Sequence, residues 1–175
     1  YPNQPYNMKT SVFICSVVMA ALVFVSCQQE DRTSTIKVRL TDAPIDYDEV
    51  NIDLKGVQVQ FADDTTGWQN LETNEGIYDL LQLQNGVDTL IGTGTFPEGT
   101  VHQLRLILGS DNNIVVDGET HPLTVPSGAE SGLKVKVHKK LNQTIEELVV
   151  DFDAGLSVHQ DGQGNYKLRP VLKMK

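Results

Sequence analysis

The chain has 175 residues, long enough for one self-sufficient core of ordinary domain size without disulfides. Its 39% hydrophobic and 21% charged residues exclude a disordered or low-complexity polymer. A formal net charge of -9 argues against a nucleic-acid partner, which requires clustered Lys and Arg to displace counterions.

From Met8 the order is a basic start (Met8, Lys9), an uncharged run from Val12 to Val25, a small residue, Ser26, and then Cys27. That is the layout of a secretory signal peptide, with the preceding YPNQPYN read as an upstream extension without structural role. The run from Ser11 to Ser26 has sixteen residues, short of the roughly 20 that a spanning helix needs. A small residue followed by Cys resembles a bacterial lipobox, in the relaxed form of the Bacteroidetes, since Phe24, Val25 and Ser26 replace the usual Leu and Ala or Gly. Lipidation is therefore expected at Cys27, with the membrane as partner through two or three acyl chains at about 0.8 kcal/mol per buried methylene. The alternative is an ordinary signal peptide with incidental thiols. Cys15 leaves with the signal and Cys27 is consumed by lipid, so no thiol remains for a disulfide, metal site or nucleophile. The following Gln28, Gln29, Glu30 and Asp31 resemble an acidic signal for export to the outer face of the outer membrane; the alternative is a plain solvated tether. The expected organisation is 1–26 extension and signal peptide, 27–34 lipidated tether, and 35–175 folded domain.

Beyond the tether, period-2 alternation recurs and sustained helical periodicity does not, so the domain reads as all-β. Ile36, Val38 and Leu40 alternate in the first strand. Val50, Ile52 and Leu54 continue the pattern, but Val57, Val59 and Phe61 have the opposite parity. An extra residue is required to keep one face buried, which places a bulge or bend at Lys55–Gly56. Trp68 and Leu71 suggest a short edge strand, and Asn85-Gly86 marks a turn in a segment too irregular for a tight hairpin. Leu104, Leu106 and Leu108 alternate next. Asp117-Gly118 within NIVVDGETHPLTV carries the strongest hairpin signal, a two-residue type I′ loop. Leu133, Val135 and Val137 follow, then a single helical turn at NQTIEE, a strand with Leu148, Val150 and Phe152, and a last hairpin containing Tyr166 and Leu168 with Pro170 on an edge. About eight or nine short strands predict a single β-sandwich, immunoglobulin-like or transthyretin-like.

Motifs for chemistry are sparse. The four histidines, His102, His121, His138 and His159, lack zinc-ligand spacing, and His102 shares the parity of Leu104 as a packed strand residue would. Asp42, Asp46 and Asp48 are weak calcium candidates, and Asp151 and Asp153 flank Phe152, but neither stretch follows an EF-hand and Asp at strand ends ordinarily serves turns. Ser131 to Lys134 fits S-x-x-K without its partner motifs. Carboxylate pairs for glycoside hydrolysis are recognisable only by their separation in space. Trp68, Tyr47, Tyr78 and Tyr166 are candidates for a carbohydrate platform, against ordinary packing roles. No catalytic residue is assigned and no cofactor is implied.

RLTDAPIDYDEVNIDLKGVQV, YDLLQLQNG, FPEGTVHQLRLIL, VDGETHPLTVPSGAESGLKV and LVVDFDAGLSV with GNYKLRPVL together resemble the domain-of-unknown-function family 4382, over roughly Thr35 to Val171, although Val101 stands where an aromatic is usual. The resemblance implies secreted or lipid-anchored proteins with a β-sandwich and offers no catalytic residues. The leading expectation is a non-catalytic envelope lipoprotein whose sandwich serves binding or adhesion, with a surface protein or glycan as partner. A hydrolytic or carbohydrate-processing accessory and a fimbria-like subunit are the alternatives.

Overall fold

A computed structural model describes residues 32–62, 65–126 and 132–175. Cys27, where lipidation is expected, and the segment before it lie outside the described residues, as does Ser131. Among the described residues fourteen strands form two open sheets, a β-sandwich. Five strands make the smaller sheet: β1 (Thr33–Thr41), β4 (Glu72–Thr73), β6 (Thr89–Pro97), β11 (Ile145–Phe152) and β14 (Leu172–Met174). The larger contains β2 (Glu49–Phe61), β3 (Trp68–Asn70), β5 (Gly76–Asp79), β7 (Thr100–Leu108), β8 (Asn113–Val116), β9 (Glu119–Thr124), β10 (Leu133–Lys140), β12 (Val158–Gln160) and β13 (Tyr166–Leu168). The number exceeds eight or nine because β3, β4, β5, β12, β13 and β14 are short pieces of two to four residues.

β1 is central to its sheet, parallel to β11 and antiparallel to β6. Its Ile36, Val38 and Leu40 join Val50, Ile52, Leu54, Val57, Val59, Leu104, Leu106, Val150 and Phe152 in one fully enclosed apolar cluster fed by both sheets. Alternation is what makes this possible: every second residue enters the cluster and its neighbours face outward.

The longest strand, β2, organises the larger sheet. Its first half pairs with β5 and β8, its second half with β3 and β7. Between them the register against β7 shifts at Leu54/Gly56, the bulge expected from the parity flip. The β8–β9 hairpin turns at Asp117 (φ 53°) and Gly118 (φ 77°), as its sequence predicts, and the Asp48 carboxylate accepts the Gly118 N–H at 2.9 Å.

Two local expectations change, and two short helices are added. The segment Asn142–Glu147 has no helical turn; the chain bends at Gln143–Thr144 and β11 begins at Ile145. Glu146 Oε1 accepts the N–H groups of Asn142 (3.1 Å) and Gln143 (3.2 Å), which satisfies the bend without helical bonds. A 3-10 helix at Leu80–Leu83 instead starts at Asp79, whose carboxylate accepts from Leu81 N at 3.1 Å. A further short helix, α1 (Ala154–Ser157), is capped by Asp153 Oδ1 on Leu156 N at 3.0 Å. His102 does not take the parity of Leu104. Register shifts in both β7–β2 and β7–β10 let Val101 enter the core, while His102 meets His138 in a T-shaped contact with centroids 4.6 Å apart.

Candidate functional site

The second half of β2 lies in a local strand order β3–β2–β7–β10, and its register sets up two rows across the outer face. Gln58 is opposite Asn70 and Arg105, and Arg105 is opposite Lys134. Gln60 is opposite Trp68 and Gln103, and Gln103 is opposite Lys136. Val57, Val59, Leu104, Leu106 and Val135 alternate with them toward the core. Adjacent strands are about 4.8 Å apart, so each row spans roughly 14 Å, and the rows are about 7 Å apart along the strands.

Side-chain bonds hold this face in place. Gln58 Nε2 donates to Asn70 Oδ1 at 2.7 Å, and Arg105 Nε donates to Gln58 Oε1 at 2.6 Å. The Arg105 guanidinium lies 4.4 Å from the Trp68 ring centroid, with Lys134 Nζ at 5.9 Å. Stacking on the ring and bonding to an amide fix the guanidinium plane, the orientation that planar oxyanion recognition uses. Trp68 is therefore the aromatic that reaches an outer face. Tyr47, Tyr78 and Tyr166 pack against the core instead, Tyr78 donating its hydroxyl to Asn74 O at 2.6 Å, so the four aromatics do not form one platform.

The sequence candidates for calcium separate. Asp42 is buried at the end of β1, where its carboxylate accepts from Ala154 N at 2.9 Å and Gln84 Nε2 at 3.4 Å. Burial pushes its pKa up to about 6 against the lowering effect of those donors. Asp46 is exposed, and Asp48 serves the β8–β9 turn. Asp151 and Asp153 lie near Lys175 (3.8 Å) and Lys173 (3.0 Å) respectively. Among the described residues no three His, Cys, Asp or Glu side chains are grouped to hold a metal ion.

Two open grooves flank β9. One, about 350 Å³, lies between Leu108–Asn112 and Pro122–Pro126. The other, about 420 Å³, is bordered by His121, Tyr166 and the Asp161–Asn165 turn. In the second, the polar groups are engaged by the turn: Asp161 accepts from Gln163 N (2.9 Å), Asn165 N (3.0 Å) and Lys167 Nζ (3.1 Å), which holds its carboxyl well below the usual range. Neither groove is lined by Asp42, Asp151 or Asp153. Lys134, the last member of the S-x-x-K match, lies on a strand rather than near a helix start.

The six polar residues beside Trp68 and Asn70 form no recognisable motif in sequence. Their signal is the off-phase set of VQVQF, HQLRL and LKVKV, which contains only amides and cations.

A β-sandwich with one ordered polar sheet face is thus the class of protein that fold and surface define. The chain belongs to the family described as Domain of unknown function (DUF4382), which matches residues 33–170. No curated protein and no solved structure matches it.

Proposed function

We propose that the protein is a non-catalytic lipoprotein of a Bacteroidetes-type outer membrane, anchored through Cys27 and presenting its sandwich as a binding domain at the cell surface. The observation that carries the binding role is the ordered outer face of β3, β2, β7 and β10: hydrogen-bonded amides, a stacked guanidinium and exposed lysines arranged before any ligand arrives. The anchor is supported by the uncharged run ending in Ser26-Cys27 and by the short polar stretch Gln28–Arg32 before β1. The absence of a catalytic role is supported by the carboxylates: Asp42, Asp153 and Asp161 each cap or brace the backbone.

Metabolic labelling with an alkyne fatty acid tests the anchor. Wild type acquires the label and Cys27→Ser does not, globomycin leaves an uncleaved precursor, and mass spectrometry places the mature terminus at acylated Cys27. A mature terminus elsewhere, or an unmodified Cys27, refutes it. Protease shaving of intact cells degrades the domain if it faces outward and spares it otherwise.

A further inference from the structure

We infer that the outer face of β3, β2, β7 and β10 binds an anionic polysaccharide, a chain whose sugars carry carboxylate, sulfate or phosphate groups. This rests on the reading of that face as a binding surface and assigns its ligand class.

The first argument is charge. The chain as a whole is at -9, yet 58–60, 68–70, 103–105 and 134–136 contain no Asp or Glu and three cations, Arg105, Lys134 and Lys136. The bulge in β2 divides the outer surface of that strand. Before it Glu49 is exposed, while Asp53 is buried and paired with Lys55 at 2.8 Å; after it stand the neutral Gln58 and Gln60. The two facing rows beyond the bulge therefore carry cations and amides without an acid. Lys134 and Lys136 are exposed and have no carboxylate within ion-pair distance among the described residues, whereas Lys139 on the same strand is tied to Glu146 at 3.3 Å.

The second argument is the kind of group displayed. A protein partner wants a broad apolar centre to its interface, whereas this face has one indole, Trp68, already covered by Arg105. The large apolar side chains exposed among the described residues, Ile77, Val87, Ile145 and Leu156, all lie outside this face. What it offers is a flat array of amides that donate and accept, suited to sugar hydroxyls, with guanidinium and ammonium groups at one side for anionic substituents. Two rows about 7 Å apart and roughly 14 Å long suit an extended polymer lying across the strands.

Lysines on the edge strand β10 also discourage strand pairing with another molecule. Charge reversal separates the roles, because Lys134→Glu with Lys136→Glu keeps the edge charged while inverting its sign. The full-length lipidated chain in neutral detergent is run in native gels containing alginate, dextran sulfate or neutral dextran. Wild type is retarded by the two polyanions and not by neutral dextran, and retardation declines between about 0.05 and about 0.5 M salt as the Debye length shrinks. The K134E/K136E variant loses retardation while retaining the wild-type melting transition. The control K37E/R169E, with the same change in net charge away from this face, remains retarded. Loss in the control as well would show a net-charge effect and overturn the inference. Retardation by neutral dextran alone would overturn the anionic class and leave the binding-domain reading standing; no retardation by any polymer, or retardation of K134E/K136E equal to wild type, would overturn a polysaccharide ligand on this face. None of these outcomes bears on lipidation at Cys27, which the labelling assay decides separately.

Discussion

Asp42→Asn is expected to change how stability depends on pH. The Asp42 carboxyl, only 2% exposed at the end of β1, has its pKa raised from an ordinary 3.8 to about 6, chiefly by burial. A carboxyl whose folded pKa lies above its unfolded one favours the native state while protonated, so its contribution is full below about pH 4 and is lost as pH rises through about 6. A displacement of about two pK units corresponds to roughly 3 kcal/mol at 1.36 kcal/mol per unit. The group sits at a sheet end where the surrounding protein is shallow, so about half of that, roughly 1.5 kcal/mol, is expected after solvent screening. Asn at this position still accepts from Ala154 N and does not ionise, and the Gln84 amide can rotate to meet its NH₂ group. Urea unfolding followed by the single tryptophan, Trp68, therefore shows the variant gaining stability relative to wild type by roughly 1.5 kcal/mol between about pH 4 and pH 7. A difference that stays constant over that interval refutes the reasoning. One that runs the other way would mean that the Ala154 N–H stabilises the anion more than burial penalises it.

Three further substitutions probe the frame around the site. The Cβ of Gly109→Ala would overlap the Asp53 carboxylate and stand 2.6 Å from Lys55 Cε, so the Asp53–Lys55 pair or the loop must shift and the urea midpoint should fall by the equivalent of about 1–2 kcal/mol. Gly118→Ala places a side chain at φ +77°, and a cost of about 1 kcal/mol in the same assay is expected from the turn alone. Glu146→Gln should destabilise at neutral pH, because the Asn142 N–H, with Lys139, holds the Glu146 pKa below its ordinary 4.5. That contribution is present above pH 4.5 and disappears on acidification through the folded value, so the two proteins should converge in acid; profiles that stay parallel would contradict it.

The parts of the fold legible in sequence are those set by period and by turn chemistry. Parity of Val50–Leu54 against Val57–Phe61 located the β2 bulge because a one-residue slip would have turned the whole apolar set outward. Asp117-Gly118 named its hairpin because both residues must take positive φ. Where side chains decide the local backbone, reading the period fails. Asn142–Glu147 looks helical from its acids, but Glu146 bonds back to two amides of the bend and then enters an extended strand. His102 follows Leu104 in parity, yet paired bulges reassign the core position to Val101, and nothing within HQLRL signals that slip.

The candidate face was illegible for a different reason. The conspicuous residues of the sequence lie elsewhere: Asp42, Asp46 and Asp48 crowd one loop, and acids so close together suggest a cation site. The fold uses two of them as braces, Asp42 on Ala154 and Asp48 on Gly118, and leaves Asp46 in solvent. The face, by contrast, is made from inconspicuous off-phase residues of four strands, the first at Gln58 and the last at Lys136, joined by antiparallel register rather than by proximity in the chain. Register across non-consecutive strands is set by which bulges occur and where, so its chemistry emerges only once β2 has flipped at Gly56 and β7 is aligned with β10. The same bulge that keeps Val57 and Val59 in the core therefore brings Gln58 between Asn70 and Arg105 and Gln60 between Trp68 and Gln103. A packing requirement and a binding surface have one structural cause, and filling the bulge at Gly56, where a Cβ would stand 3.3 Å from Ile107 Cδ1, should disturb both together.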